Sequence, residues 1–488
     1  MRSRQKFILI LSIFIAGLCS LIYELLISTA SSYFLGDSVK QFSLTIGIYM
    51  ASMGLGSYIS RFIKGNLVNR FIQVEILLGL AGGFCVPFLY LCFAWLSYYT
   101  FFMMFTIAVI GTLTGLEIPL LTRIMKDYYN LKINLSNVLT LDYVGALVAT
   151  LIFPFFLLPF LGTFQSSLIF GIINLGVGCM TLWAFKDELR VSNKRIFLFS
   201  ILLAVFVMGL SVLFSQKLLK VWNKSLYEDR IVYMKQTPAQ KIVITKYKDD
   251  VRLFINGNLQ LSSQDEYRYH ESIVHIPLLF KEKDPKDVLV HIDIVDIEGE
   301  MFKIAKENHY IKKMNNDALS SPKIDLITKD AFLYIKEKAK KYDLIISDLP
   351  DPNNPGLARL YSEQFYKYLQ KRLDQNGIFI TQATSPYFAT KAFRCISKTI
   401  KKSGFDHVDE YHVRVPSFGD WGFVMASQHI PFKKSGEIDV PVKYLNKGVV
   451  RSAFYFGKDL YTKKPVKTSS IDKPLVLDYY LEGWRYYN

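Results

Sequence analysis

Before residue 216 the chain is dominated by apolar runs, near 7–27, 41–60, 72–97, 101–121, 138–160, 164–185 and 196–215. Each is long enough for a helix to cross a hydrocarbon core of about 30 Å, so the pattern predicts about seven transmembrane helices. The first run continues through Tyr23-Glu24-Leu25-Leu26 and lacks a small-x-small cleavage site. It is therefore expected to stay in the mature chain. From about residue 229 the period shortens. Lys241-Ile-Val-Ile-Thr245 and Arg252-Leu-Phe-Ile255, followed by a turn at Asn256-Gly257, read as a small antiparallel sheet. Beyond it, β-rich runs at 287–296, 324–328, 343–347 and 377–381 alternate with helical stretches at 298–308, 331–340, 362–373 and 387–403. That alternation argues for an α/β domain built on a doubly wound parallel sheet, which binds ligands beyond the carboxyl ends of its strands. The expected boundaries are 1–215 for the membrane domain, 216–285 for the small β-sheet subdomain, 286–430 for the α/β domain and 431–488 for a C-terminal extension.

Charge follows the same division. There are 14 Lys and Arg and 8 Asp and Glu up to Ser215, and 44 and 34 from Gln216 onward. So abrupt a shift separates a membrane half from a water-soluble half, and excludes a wholly soluble protein, a disordered chain and a disulfide scaffold. The net charge of +16 is read as a solvated basic surface beside anionic headgroups and not as a nucleic-acid site, because no zinc-finger spacing or aromatic-basic RNA motif accompanies it. Cys19, Cys85, Cys92 and Cys179 lie in apolar runs and Cys395 stands alone, so neither a metal cluster nor a disulfide framework is indicated.

Basic residues precede the first apolar run (Arg2, Arg4, Lys6) and follow the second (Arg61, Lys64, Arg70), the fourth (Arg123, Lys126, Lys132) and the sixth (Lys186, Arg190, Lys194, Arg195). The positive-inside rule then makes the amino terminus cytoplasmic, and an odd number of crossings puts the soluble half on the far side. Glu24, Glu75, Glu117 and Asp142 stand within or near the ends of apolar runs. Acids deep in a bilayer cost a few kcal/mol on insertion scales and face a bundle interior or a watery cavity. They read either as a cation path or as helix-end acids bonded to a neighbouring helix. Gly54, Gly56, Gly82 and Gly83 read as sites of close helix packing.

In the soluble half, acids end three of the β-rich runs: Asp296 closes Ile292-Asp-Ile-Val-Asp296, Asp330 follows Leu326-Ile-Thr-Lys, and Asp348 closes Leu344-Ile-Ile-Ser, with Asp351 three residues on. An acid at the end of a second strand is placed to accept hydrogen bonds from ribose hydroxyls. Four carboxylates around one crevice repel one another unless they meet something cationic. The set therefore points to a nucleoside and a cation bound side by side.

These residues resemble the polyamine aminopropyltransferases, or spermidine synthases. The matching segments are Gln240, Asn256-Gly-Asn-Leu-Gln-Leu-Ser-Ser-Gln-Asp-Glu-Tyr-Arg-Tyr-His-Glu271, Val274-His-Ile-Pro-Leu278, Val295-Asp296, Asp330-Ala331, Asp348-Leu-Pro-Asp-Pro352, Leu360-Tyr-Ser-Glu-Gln-Phe-Tyr366 and Trp421-Gly-Phe423. The apolar half and Tyr479-Tyr-Leu-Glu-Gly-Trp-Arg485 look like the membrane-bound, multi-pass branch of that family. The resemblance implies a Rossmann-like domain of the methyltransferase type that transfers an aminopropyl group from decarboxylated S-adenosylmethionine to putrescine, giving spermidine and methylthioadenosine. It implies Asp348 as the catalytic base, Tyr269, His270 and Asp351 as diamine ligands, and Gln240, Asp296, Asp330 and Ala331 as nucleoside ligands. No metal or permanently bound cofactor is expected, since a sulfonium is already an activated leaving group. The lipid bilayer and a homodimer are the other partners expected. The donor and putrescine are made in the cytosol, which conflicts with the loop charges, so the side of the soluble half stays open.

The sequence departs from the family in one place. Members carry a Gly-Gly-Gly-Asp-Gly-type loop after the first strand, whereas no glycine occurs here between Gly257 and Gly299. Asp287-Val-Leu-Val290 runs directly into His291-Ile-Asp-Ile-Val-Asp296, although parallel neighbours need a crossover of a dozen or more residues. The two runs cannot both be the usual first and second strands. A loop and helix of about 20 residues, one βα crossover, is expected to be missing. Asp293 could stand in for the lost aspartate only from the opposite face of the strand to Asp296. The alternative is a non-catalytic polyamine or nucleoside sensor or transporter derived from the family. A methyltransferase is the weakest reading, because the diamine-side block is intact while the nucleoside loop is gone.

Overall fold

Long apolar runs form helices because a bilayer leaves the backbone no other way to satisfy its polar groups. The computed structural model describes residues 2–35, 38–96, 98–215, 217–219, 222, 227, 229–237, 240–280, 291–337, 339–429, 431, 438–460 and 465–485. It divides into two units, Met1–Arg230 and Ile231–Asn488.

The first unit contains α1 (Arg2–Leu35), α2 (Ser38–Ser60), α3 (Leu67–Trp95), α4 (Tyr99–Met125), α5 (Leu131–Ile152), α6 (Gly162–Ala184) and α7 (Val191–Leu213). A π-helical turn, Phe153–Leu161, joins α5 to α6. Among the described residues, six helical stretches are long and apolar enough to cross a membrane, and one of these is the 53-residue run Lys132–Ala184. Two prolines, Pro154 and Pro159, distort that run, and Gly162 takes φ +69° where it resumes. Asn66 and Asn130 cap α3 and α5, accepting from the backbone N–H of Asn69 and Ile133.

Close helix packing explains most of the glycines singled out in the sequence. A Cβ on Gly56 would lie 2.1 Å from the Thr112 carbonyl oxygen, and one on Gly82 would lie 2.3 Å from the Tyr23 ring. Gly83 packs against Met208 and Gly171. Gly54 faces open space, so that expectation does not hold for it.

The second unit opens with a four-stranded sheet in the order β1 (Arg230–Gln236), β2 (Lys241–Tyr247), β3 (Asp250–Ile255) and β4 (Asn258–Ser262). β2 pairs antiparallel with β3, and β3 with β4. Asn256 (φ +50°) and Gly257 (φ +84°) make the tight turn between β3 and β4, the conformation that favours Asn-Gly in two-residue hairpins. Helix α8 (Glu266–Leu278) follows.

The α/β part has β5 (Ile292–Asp296) parallel to β6 (Ile324–Thr328), and a mixed sheet in the order β7 (Tyr342–Ser347), β8 (Leu373–Gln382), β10 (Gly419–Ser427), β9 (His407–Val415). β7 and β8 are parallel, while β10 runs antiparallel to both its neighbours. The β9–β10 pair is an element that the sequence reading did not propose. Both faces of this sheet are covered, and side chains alternate between them. Ile378, Ile380, Phe423 and Met425 join the core under α8, whereas Phe379, Val424 and Ala426 join the core under the helices Glu363–Arg372 and Thr390–Lys402.

Among the described residues no strand pairing joins β5 to β7. Side chains link them instead. Asp293 on β5 accepts from the Tyr342 hydroxyl on β7 (2.6 Å), from the Tyr334 hydroxyl (2.8 Å) and from Lys340 Nζ (3.1 Å). The interruption adjoins the place where the sequence reading expects a crossover to be missing. Of the two runs in conflict there, 292–296 is β5, while 287–290 lies outside the described residues.

Candidate active site

Asp348 stands where β7 ends, the position at which open α/β sheets hold ligands. The turn that follows is held from both sides. Gln382, the last residue of β8, donates to the Leu349 carbonyl (2.7 Å), and the buried Tyr361 hydroxyl donates to the Pro350 carbonyl (3.0 Å). Gln382 Nε2 also reaches Asp351 Oδ1 at 3.2 Å, while its Oε1 accepts from the Thr384 backbone N–H at 2.8 Å. Thr384 takes φ +59°, a costly conformation for a β-branched residue and one that clusters at functional sites.

The Asp-Glu-Tyr-Arg-Tyr-His-Glu block divides into anchors and functional groups. Asp265 accepts from the backbone N–H (2.6 Å) and the hydroxyl (2.9 Å) of Ser417, fixing the start of α8 to the turn between β9 and β10. Glu271 accepts from three consecutive backbone N–H groups, those of Lys443, Tyr444 and Leu445. With α8 fixed in this way, Tyr269 is left to donate its hydroxyl to Asp348 Oδ1 at 2.5 Å. His270 Nδ1 lies 2.6 Å from Glu266 Oε2.

Electrostatics separate the roles of these groups. Asp348 is exposed as a residue, yet the protein packed around its carboxyl removes enough water to raise it above the usual range, against the Tyr269 hydrogen bond and the charge of His270. Burial pushes Asp351 up to about 6, although the Gln382 amide and the hydroxyls of Tyr480 and Thr384 favour its ionised form. For His270, desolvation lowers the imidazole, but the Glu266 hydrogen bond and the charges of Asp348 and Glu266 more than reverse this and leave its pKa raised.

The residues expected on the nucleoside side gather at the ends of β2, β5 and β6. The Gln240 backbone N–H donates to the Thr237 hydroxyl (3.0 Å), which donates to Glu298 Oε1 (2.8 Å). Asp296 Oδ1 accepts from the Glu298 backbone N–H (2.7 Å). Burial raises the Asp296 carboxyl, with that hydrogen bond opposing. The Asp296 carbonyl accepts from the Lys329 N–H (2.9 Å), which brings Asp330 and Ala331 alongside it. Asp330 caps the helix Ala331–Glu337 through the Leu333 N–H (3.0 Å) and is ion-paired with Arg359. Gln382, Tyr361, Thr384, Tyr480 and Arg359 are the participants that sequence reasoning did not assign. Tyr361 and Tyr480 lie inside segments that carried the resemblance. Asp293, engaged by Tyr334, Tyr342 and Lys340, faces away from this set, and those contacts hold its carboxyl at about 2 against the effect of burial.

Residues 290–434 match the spermine/spermidine synthase domain. The polyamine aminopropyltransferase of Leptospira interrogans is 39% identical over 98% of this chain and 98% of that protein. Polyamine aminopropyltransferase 2 of Ralstonia nicotianae is 34% identical over 99% of both chains. The crystal structure of spermidine synthase from Thermotoga maritima aligns with 47% of this chain and 85% of its own, at 22% identity and a TM-score of 0.42. With identity of this order sustained from the apolar helices through the α/β part, the chain belongs to the polyamine aminopropyltransferase family.

Proposed function

We propose that this protein transfers the aminopropyl group of decarboxylated S-adenosylmethionine to putrescine, releasing spermidine and methylthioadenosine. The observation that carries the reading is the convergence of Asp348 and Asp351 at the end of β7 with Tyr269 from α8. Putrescine carries an ammonium at each end, and an ammonium has no lone pair. Asp348 takes one proton, and the freed amine attacks the methylene carbon next to the sulfonium. The carbon–sulfur bond breaks, and its electron pair stays on sulfur as the neutral thioether of methylthioadenosine. A carboxylate whose proton affinity is raised accepts that proton more readily than an ordinary one. Tyr269 fixes the direction of Asp348, and His270 borders the diamine. Asp351, steadied by Gln382, receives the distal ammonium as a charge-assisted hydrogen bond. Gln240, Asp296, Asp330 and Ala331 hold the nucleoside. Positioning supplies much of the acceleration, and the sulfonium leaves without help from a metal or a resident cofactor.

The same reading assigns a multi-pass protein of the cell membrane. At 1.5 Å per residue, the run Lys132–Ala184 extends for about 80 Å, more than twice the hydrocarbon thickness of about 30 Å. Two crossings, α5 and α6, account for it and give seven in all. The soluble part divides into the small sheet (216–285), the α/β domain with its first crossover missing (286–430) and the extension (431–488). A homodimer is part of this proposal.

Full-length protein incubated with decarboxylated S-adenosylmethionine and putrescine is expected to form spermidine and methylthioadenosine, detected by mass spectrometry. Asp348→Asn is expected to form neither. Undiminished product from that variant would overturn the assignment. A second reading, polyamine binding without turnover, is favoured by the absence, among the described residues, of strand pairing between β5 and β7. It predicts folded protein that binds putrescine and makes no methylthioadenosine.

A further inference from the structure

At the centre of the first unit, four helices contribute polar side chains to one point. Glu75 on α3 is 0% exposed and Glu117 on α4 is 1% exposed. Their carboxyl groups interact directly. Asn174 on α6, also fully buried, donates its amide to Glu75 Oε2 at 2.6 Å. Tyr23 on α1 donates its hydroxyl to the Phe170 carbonyl (3.1 Å), so its own proton is already used. Among the described residues, no N–H or O–H group outside the pair donates to Glu75 Oε1, to either carboxyl oxygen of Glu117 or to Asn174 Oδ1.

Two carboxylates in contact, away from water, cannot both remain ionised and unaccompanied. Among the described residues, the titratable groups that face the pair are Cys19 and Tyr23 of α1, Tyr49 of α2 and Asp142 of α5, with Glu24 beyond Tyr49. None of them is cationic. Arg123, on the same helix as Glu117, spends its guanidinium on the carbonyls of Ser60 and Ile63. Neutralisation must therefore come from a bound cation.

We propose that Glu75, Glu117 and Asn174 form a buried site for one small monovalent cation, a proton or an alkali-metal ion. The unpartnered atoms are all oxygens, the donor set that suits hard cations. Tight packing sets the size limit: the Gly178 position lies against Glu75 Cβ, and Gly82 against the Tyr23 ring. Packing this close favours a small ion over the methylene chain of a polyamine. The site lies in the membrane unit, and the proposal does not depend on the aminopropyl-transfer reading.

Dicyclohexylcarbodiimide, an apolar reagent that modifies protonated carboxyl groups in membranes, tests this on the full-length protein in lipid nanodiscs. Peptide mass spectrometry is expected to locate the adduct on Glu75 or Glu117. If the cation is a proton, labelling falls by up to about tenfold per pH unit above the pKa of the pair. If it is an alkali-metal ion, adding sodium or potassium chloride at fixed pH protects the pair, and choline chloride does not. Absence of adduct at both residues, or labelling indifferent to pH and to all three salts, overturns the proposal. Thermal unfolding gives a second readout. The Glu75→Gln/Glu117→Gln protein is expected to lose whatever dependence of Tm on pH or alkali cation the unmodified protein shows, and an unchanged dependence also overturns it.

Discussion

Tyr269 and Asp348, far apart in the sequence, meet through a 2.5 Å hydrogen bond that joins α8 to the end of β7. The bond unites the two blocks on which the resemblance rests. The anchors at Asp265 and Glu271 explain why the first block needs its outer acids: they hold α8 at a fixed rotation, so that the Tyr269 hydroxyl arrives with its proton toward the carboxylate. Burial and the negative charge of Asp348 raise the Tyr269 phenol well above its ordinary value. It therefore acts as a hydrogen-bond donor and not as a base.

Removing that hydroxyl gives the first prediction. Hydrogen bonds to charged groups contribute about 1.5–3 kcal/mol, so Tyr269→Phe should lower kcat by roughly 10- to 150-fold. The ring stays in its contact with Phe423, so the fold should lose no more than the same ~1.5–3 kcal/mol. Steady-state kinetics beside a melting curve will check both. A fall in stability with kcat intact would make Tyr269 a packing residue only.

The second prediction concerns pH. Asp351 has its carboxyl at about 6 in the folded protein against an ordinary 3.8. It is anionic, and able to hold an ammonium, only above that value. The KM for putrescine should therefore rise as pH falls through about 6, and Asp351→Asn should abolish this dependence while raising KM at every pH. Stability follows the opposite sense. Between about pH 4 and 6 the folded state holds a proton that the unfolded chain has released, so stability is lost as pH rises through that window. Asp351→Asn should remove the slope and be more stable above pH 6, by on the order of 2 kcal/mol after allowance for partial exposure.

Most of the architecture was legible, because period and punctuation are local. The runs at 324–328 and 343–347 correspond to β6 and β7, and the acids ending them occupy strand ends as expected. The β9–β10 pair was overlooked although its alternation is present: Tyr411, Val413 and Val415 are buried at every second position. The partners of the site are a different case. Nothing around Asp351 announces that Gln382 and Tyr480 will reach it, since they arrive from distant segments through packing of the sheet and the final helix. Asp330 shows the same limit from the other side. Its helix-capping role follows from the residues after it, but its pairing with Arg359 depends on a loop that enters from the end of β7.

That pairing supports a third prediction. Asp330→Ala removes a cap, which costs about 1 kcal/mol, and should also weaken methylthioadenosine binding. Arg359→Ala leaves the cap in place and removes a partly exposed ion pair, worth at most about 1 kcal/mol, while freeing the carboxylate for a ribose. Calorimetry on the full-length proteins should show weaker nucleoside binding in the first variant and equal or tighter binding in the second. Equal weakening in both would mean that Arg359 is itself a nucleoside ligand.

The fourth prediction counts the crossings. If α5 and α6 each cross, the basic clusters at Arg61–Arg70, Arg123–Lys132 and Lys186–Arg195 fall on one side with Arg4 and Lys6, the cytoplasmic side by the positive-inside rule. Ser215, beyond the seventh helix, then lies on the far side. If instead Lys132–Ala184 made a single crossing, Lys186–Arg195 would be exported and Ser215 would be cytoplasmic. An alkaline phosphatase fusion after Ser215 should be active, and a green fluorescent protein fusion at the same point should be dark. The break supplied by Pro154, Pro159 and Gly162 is what would let that run cross twice. A Gly162→Leu change, placing a β-carbon where φ is +69°, should impair folding of the bundle, whereas Gly54→Ala, facing open space, should not. The reverse ranking of these two variants in detergent-solubilised yield would show that the turn is not a fixed part of the fold.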